Sequence, residues 1–359
     1  MSFRLIRGSV LMVAFATAWL AAGSARSAGP VVAWGNDSTN QSTVPAAVNG
    51  TSGTATSLAA GYEHSCAIQA GTGKVICWGN DADGQATPPA SVNGTVGTAT
   101  AISAGNYYSC AIQTGTGHVV CWGDSAYGET TPPPSVDGTT GTATAIASGG
   151  SHSCAIQAGS GNVVCWGYDI DGEASPPESV NGATGTGTAI AGGLYHSCAI
   201  QAGSGNVVCW GYDIDGEATP PASVNGTSGT ATAIATGGYH SCAIRTGGNV
   251  VCWGYDTDGE ATPPTSVNGT AGTATDLATG RYHSCAIQTG SGNVICWGYD
   301  ADGQATPPAA VNGTSGTATA IAAGGSHTLA IAAPEPAAAL GGAVSLGSLL
   351  ALARRRRLG

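Results

Sequence analysis

Cysteine, histidine and paired aspartate are the residue types here whose chemistry could carry a function. The 12 cysteines form six pairs: Cys66 with Cys77, Cys110 with Cys121, Cys154 with Cys165, Cys198 with Cys209, Cys242 with Cys252, and Cys285 with Cys296. In each pair the first cysteine sits in a short apolar stretch, a Gly-rich turn follows, and the second directly precedes a Trp-Gly. With a four-residue turn centred between Gly71 and Thr72, Cys66 falls opposite Cys77 in an antiparallel hairpin. Non-hydrogen-bonded partners there have Cα atoms about 4.5 Å apart, within disulfide reach. In the pair Cys242 and Cys252 the turn is one residue shorter, at Thr246-Gly247-Gly248, and the register still closes. Zinc is the competing reading. Its sites usually place paired cysteines two to four residues apart, and an exported chain seldom keeps free thiols.

Six of the seven histidines (His64, His152, His196, His240, His283 and His327) hold one repeated position, with Tyr108 in the equivalent place of a further copy. They read either as a metal-binding ring or as structural histidines bonding backbone at repeat junctions, and seven-fold spacing favours the second. The Asp-x-Asp-Gly loops Asp81/Asp83, Asp169/Asp171, Asp213/Asp215, Asp256/Asp258 and Asp300/Asp302 open like calcium loops. The third ligand and the late bidentate Glu of a complete loop are missing, so an Asx-type turn competes with calcium. No other cofactor is implied. The pair before each histidine, or before Tyr108, varies while its flanks hardly change: Tyr62-Glu63, Asn106-Tyr107, Gly150-Ser151, Leu194-Tyr195, Gly238-Tyr239, Arg281-Tyr282 and Gly325-Ser326. It places Tyr62, Tyr107, Tyr195, Tyr239 and Tyr282 in loops, where tyrosine suits protein interfaces and sugar faces. Asn-Gly-Thr triplets at 49, 93, 225, 268 and 312 match glycosylation acceptors, but Asn-Gly turn chemistry explains them as well. A catalytic site needs a unique asymmetric cluster. Near-identical copies offer none, so no enzyme activity is expected.

What positions these residues is a repeat. Trp-Gly recurs at 34, 78, 122, 166, 210, 253 and 297, spaced by 44 or 43 residues. Such a period in a chain with 58 Gly and 17 Pro indicates β-propeller blades or a solenoid. Each unit contains a hairpin, H-S-C-A-I-Q with N-V-V-C-W-G, and an alternating strand such as T-A-T-A-I-A. The Ser-Val after the double proline reads as a fourth, outer strand, because proline is confined to sheet edges. The end copies are informative: Ala33 stands where the other units have the second cysteine, and Leu329 where they have the first. Val31–Trp34 is therefore expected to pair with His327–Ile331, closing a seventh blade and leaving no free sheet edge. The seven tryptophans of the repeat are expected in the core.

Both ends look like targeting segments. Residues 1–28 carry Arg4 and Arg7, an apolar stretch and small residues suited to signal cleavage, with an uncleaved membrane anchor as the alternative. Residues 334–359 read Pro334-Glu335-Pro336, then 17 uncharged residues, then Arg354, Arg355, Arg356 and Arg357. That stretch spans roughly 25 Å as a helix, just short of a hydrocarbon core, and the arginines would hold its end in the cytoplasm. Between the ends, Lys74, Arg245 and Arg281 face 20 carboxylates, a net charge near −17. Such a body repels nucleic acid and anionic lipid, so nucleic-acid binding is excluded.

The C-terminal arrangement resembles the PEP-CTERM sorting tail of Gram-negative bacteria. That resemblance implies processing by an exosortase and residence in the cell envelope, at the outer surface or secreted, with a membrane segment before processing. The repeat, represented by Gly61, His64, Ser65, Trp78, Gly79, Asp81, Gly84 and Gln85, resembles the RCC1 repeat, with Asp in place of the family's Asn. It spans residues 31–333 in seven units. The fold expected is all-β: a seven-bladed RCC1-like propeller over 29–333, monomeric, with one hairpin disulfide in each of six blades. Nothing in blades this short provides the insertions by which the eukaryotic family member acts on a nuclear GTPase. A secreted RCC1-like inhibitor of β-lactamase is a nearer analogue. The function expected is an exported, non-catalytic binding or structural module of the cell surface or matrix, with an extracellular protein or polysaccharide as partner. The alternatives are an inhibitor or receptor of a secreted protein and calcium-dependent glycan adhesion.

Overall fold

The computed structural model describes residues 27–334. The expected leader (1–28) and sorting tail (334–359) therefore lie outside the described residues, except at their inner edges. Among the described residues no helix is long and apolar enough to cross a membrane. They form 21 strands in seven three-stranded antiparallel sheets. Blade 1 runs from an inner strand, Ala55–Ala60, through a middle strand, His64–Gln69, to an outer strand, Val75–Gly79. Blades 2 to 6 repeat this order along the chain. Inner strands of successive blades adjoin, and Ala55–Ala60 meets Ala318–Ala323 of blade 7, so the ring is closed.

Blade 7 is assembled from both ends. Val31–Gly35 is its outer strand, paired antiparallel with the middle strand His327–Ala332, with Ala33 opposite Leu329 and Trp34 opposite Thr328. The same positions in the other blades hold the disulfides, one to a blade and all in the expected pairing. Cys66 is bonded to Cys77 and Cys110 to Cys121, each at a Cα separation of 4.1 Å. Cys154 is bonded to Cys165, Cys198 to Cys209, Cys242 to Cys252 and Cys285 to Cys296, each at 4.0 Å. The shorter turn of the fifth bridge leaves Cys242 directly opposite Cys252, as in its neighbours. No cysteine is free among the described residues, so the zinc alternative is out.

The expected fourth strand is not formed. After the double proline the backbone makes a helical turn in which the Val92 amide donates to Pro89 O at 3.0 Å. Proline at Pro88 and Pro89 fixes φ and supplies no N–H to a ladder, which suits a turn better than a strand. Val92 still serves the blade. Its side chain is fully buried and its carbonyl accepts from the Val75 amide at 3.0 Å.

The core lies between blades. In one such layer Cys66, Ile68, Val75 and Val92 of blade 1 meet Ala111 and Trp122 of blade 2, and equivalent layers recur around the ring. Each repeat tryptophan is thus the plug its blade inserts against the preceding one, 8–9% exposed. The glycine after it has a steric reason. Gly79 has φ of 103°, and a Cβ there would stand 2.7 Å from Glu63 O. That close approach lets the outer strand turn back over the loop ahead of the middle strand.

The two faces of the ring differ. The Trp-Gly ends and the loops before each histidine share one face, here the upper face. The hairpin turns, the Asn-Gly turns and both ends of the described chain share the other, where Ala332 N donates to Pro30 O at 2.9 Å.

Candidate functional site

The histidines build a girdle. His64 Nε2 lies 2.9 Å from Ser109 Oγ of the next blade, and His152, His196, His240 and His283 repeat this contact onto Ser197, Ser241, Ser284 and Thr328. His327 bonds Ser65 of blade 1 at 2.8 Å, carrying the girdle across the closure. In blade 2 Tyr108 takes the place of histidine, accepting from Ser153 Oγ at 3.0 Å and donating to His152 O. Each receiving hydroxyl donates to a backbone carbonyl that also accepts the Trp Nε1–H of the same blade. Ser65 and Trp78 both bond Gln41 O, at 2.9 Å each.

The network fixes the tautomer. The hydroxyl proton is committed to the carbonyl, so Nε2 carries the ring proton and donates. All six histidines are buried, and burial holds them neutral, pushing His64, His152 and His283 down to about 4 and His196, His240 and His327 down to about 3. The partner is therefore a neighbouring side chain rather than the backbone the sequence suggested. The described residues hold no group of three or more His, Cys, Asp or Glu placed to share a metal ion.

A glycine precedes each histidine by three residues because the ring needs its space. A Cβ on Gly61 would lie 2.3 Å from His64 Cε1 and 2.5 Å from Gly105 O. These glycine carbonyls also receive amides of the adjoining loop. Tyr62 N, Leu194 N, Arg281 N and Gly325 N donate to Gly105, Gly237, Gly324 and Gly61 at 3.1–3.3 Å. The channel mouth is thus rimmed by backbone groups already satisfied from blade to blade.

Inside this rim is a cavity of about 220 Å³, lined by Tyr62, Asn106, Tyr107, Leu194, Tyr195 and Arg281 together with glycines and small residues. The variable residues are fitted to each other across blades. A Cβ on Gly150 would meet Leu194 Cδ1 at 2.7 Å, one on Gly238 would meet Arg281 Cγ at 3.0 Å, and one on Gly325 would meet Tyr62 Cδ2 at 2.8 Å. Each bulky side chain lies over a neighbour's glycine, so the loops of the mouth pack as one unit.

Of the tyrosines predicted from sequence, Tyr62, Tyr107 and Tyr195 line the cavity. Tyr195, Tyr239 and Tyr282 form an arc over three blades with ring centroids 6.1 and 5.9 Å apart. Residues that sequence reading missed extend it. Tyr212, Tyr255 and Tyr299, each following a Trp-Gly, pack on the arc at 6.1–6.4 Å. Arg281 bridges its end, with Nη1 donating to Tyr62 OH at 3.1 Å and its guanidinium carbon 5.5 and 5.2 Å from the Tyr62 and Tyr282 ring centroids. For Tyr212, Tyr255 and Tyr299 the available signal was their shared place directly after the Trp-Gly of three successive units.

The carboxylate loops ring the same face. In each Asp-x-Asp-Gly loop the first aspartate bonds locally: Asp81 accepts from Ala86 N at 2.7 Å and Thr87 Oγ1 at 2.6 Å, and Asp169, Asp213, Asp256 and Asp300 repeat this. Asp83, Asp171, Asp215, Asp258 and Asp302 stand on the turn surface, with their backbone amides donating to the Gln or Glu two residues on. Glu173, Glu217 and Glu260 are buried and their carboxyls lie above the usual range because of it. On the opposite face Asn93 Oδ1 accepts from Thr95 N at 3.0 Å and the other Asn-Gly turns follow suit, in keeping with turn chemistry for the triplets.

The family model described as "Regulator of chromosome condensation (RCC1) repeat" matches residues 55–85, 99–129, 231–260 and 274–304. The chain carries RCC1 repeats. A search of curated proteins found no match. Among solved structures, the ectodomain of the receptor kinase CR4 from Physcomitrella patens is 24% identical, with a TM-score of 0.58 over 75% of this chain and 68% of that one. The CRINKLY WD40 ectodomain of the Arabidopsis thaliana receptor kinase ACR4 is 26% identical, with a TM-score of 0.53 over 68% of this chain and 79% of that one. Prp20p from Saccharomyces cerevisiae, described with binding to Gsp1p and histones, is 16% identical, with a TM-score of 0.68 over 88% of this chain and 93% of that one. The fold is an RCC1-like β-propeller.

Proposed function

We propose that the chain is an exported, non-catalytic binding module of the cell surface or extracellular matrix, and that it recognises its partner with the tyrosine-lined upper face. One observation carries this reading: the variable residues of the repeat gather at one mouth and fit each other. The groups that could do covalent chemistry serve the scaffold instead, the cysteines as disulfides and the histidines as buried neutral donors. Six disulfides suit an oxidising compartment, and two of the similar structures are receptor ectodomains.

Residues 1–28 serve as the signal peptide in this reading, 29–333 as the propeller, and 334–359 as a PEP-CTERM tail processed by an exosortase in a Gram-negative envelope. Both ends of the described chain leave from the face opposite the tyrosines, so a tether at either end leaves the tyrosine face pointing outward. A protein partner, as for a receptor or an inhibitor of a secreted protein, is favoured by the asymmetry of the mouth, since a repetitive polysaccharide calls for a uniform ring. Calcium-dependent adhesion has less support, because the first aspartate of each loop is engaged by its own turn. Titration of Ca²⁺ into the protein with no heat and no melting shift at millimolar concentration eliminates it.

The test is capture from the producer's extracellular matrix by the 29–333 fragment. Retention of a defined partner that is lost with Tyr195→Ala/Tyr239→Ala/Tyr282→Ala supports the reading. Equal retention by both forms overturns the assignment of the face.

A further inference from the structure

We propose that the channel mouth is a receptor for a single carboxylate carried on an apolar or aromatic body, with Arg281 as the anion-binding group. The inference rests on the reading of the upper face as the recognition surface and adds the chemistry of what enters it.

Among the described residues, Arg281 is the lone cation of that face. The other cations of the propeller lie across the ring: the Lys74 side chain crowds the Asn-Gly turn at Gly94, and Arg245 Nε donates to Ser223 O at 3.1 Å. Around the mouth the surface is carboxylate-rich, yet among the described residues no Asp or Glu lines the cavity itself. A guanidinium sits alone inside an acidic perimeter.

Arg281 is also held in place before any ligand arrives. Tyr62 accepts one of its hydrogen bonds, the Tyr62 and Tyr282 rings flank it, and Gly238 leaves the room its stem requires. A guanidinium has five N–H donors, and a planar carboxylate is the anion its fork fits best. Holding the side chain rigid removes the entropy cost a free arginine would incur on binding.

The rest of the cavity limits the ligand. Its 220 Å³ exceeds the roughly 150 Å³ of a cavity that takes up benzene, enough for one ring with a short carboxylate arm. Leu194, Tyr107 and Tyr195 offer apolar and aromatic surface. The backbone amides of the rim already donate to neighbouring carbonyls, so they cannot bind an extended peptide backbone, and recognition falls to side chains. The acidic perimeter repels polyanions and admits one negative charge at the centre.

Such a carboxylate could belong to a free small acid or to the C-terminus of a partner chain with an apolar last residue. Calorimetric titration of the 29–333 fragment with N-acetylphenylalanine, its amide, glucuronate, citrate and a hexapeptide ending in a free or amidated phenylalanine separates the cases. The expected result is binding of N-acetylphenylalanine and of the free-ended peptide, loss with both amides, and weaker binding of glucuronate and citrate. Equal binding of acid and peptide assigns the site to chain ends as well as free acids, whereas a free acid bound far more tightly than the peptide confines it to small molecules.

Arg281→Gln should reduce the affinity about tenfold or more, the scale of a charge-assisted pair. Arg281→Lys, which retains the charge but lacks the planar fork, should recover only part of that loss. Equal binding of acid and amide overturns the proposal, as does indifference to Arg281→Gln. Glucuronate binding best overturns the apolar part. If partner capture still depends on Tyr195, Tyr239 and Tyr282 while no carboxylate binds, this inference fails and the proposed function stands.

Discussion

Two sets of positions in this propeller lie within a few residues of each other and behave in opposite ways. The girdle of His, Ser and Trp is the same in almost every blade, and each member bonds the blade beside it. The mouth, in the loop just before it, changes from blade to blade, and only blades 3 and 7 share a pair, Gly150-Ser151 and Gly325-Ser326. The contrast shows that the girdle holds the ring together, which frees the mouth residues to vary without loss of fold. If that division is right, girdle substitutions should lower stability, and mouth substitutions should lower binding and leave stability nearly intact.

The largest effect expected is acid unfolding. An unfolded histidine takes up a proton below about pH 6.5, whereas the six girdle histidines stay neutral in the fold down to about 4 or about 3. The unfolded state therefore binds more protons, and stability is complete above pH 6.5 and falls as pH drops through that window towards 4. Each histidine contributes up to about 1.4 kcal/mol per pH unit there. Glu173, Glu217 and Glu260 act in the opposite sense, because their raised carboxyls take protons more readily in the folded state. Urea denaturation at pH 7, 6 and 5 should show a steep loss of stability, and a flat profile would show that the histidines are not held neutral.

Next in size is removal of one tryptophan plug. Trp210→Ala leaves a cavity between blades and strips a donor from Glu173 O, at a cost of about 3–5 kcal/mol. The melting temperature reads the loss directly, and a shift comparable to that of a mouth variant would erase the distinction between the two regions.

A gain of similar scale is available in blade 7. Ala33 and Leu329 occupy the register of the disulfides in the other blades. Ala33→Cys/Leu329→Cys should form a seventh bridge worth up to about 4–5 kcal/mol, because it closes a loop of nearly the whole chain. Loss of the buried Leu329 side chain offsets part of that. Non-reducing mass mapping checks the bond, and free thiols in the folded variant would contradict the closure.

Much of this architecture was legible in the sequence because it depends on local register. The cysteine spacing sets which residues oppose each other in a hairpin, and the complementary gaps at Ala33 and Leu329 reveal the closing blade. The helical turn after the double proline was missed because Ser-Val has strand-like composition, while the absence of proline N–H groups decides the outcome. The girdle partners were not legible, since His64 meets Ser109 through the stacking of one blade on the next. The mouth was half visible. Its variable positions stood out, Arg281 among them, but the fit of Leu194, Arg281 and Tyr62 over Gly150, Gly238 and Gly325 required the loops to be side by side.

The smallest stability effect should accompany the largest functional one. Tyr195→Ala/Tyr239→Ala/Tyr282→Ala removes three rings that pack mainly on other tyrosines at the surface, so each should cost about 0.5 kcal/mol, the low end for an aromatic pair. The decisive measurement is the melting temperature and the matrix-partner affinity of this triple variant, determined side by side with the parent 29–333 fragment. The predicted result is a nearly unchanged melting temperature with partner binding lost. Partner binding at parental affinity would contradict the assignment of recognition to this face.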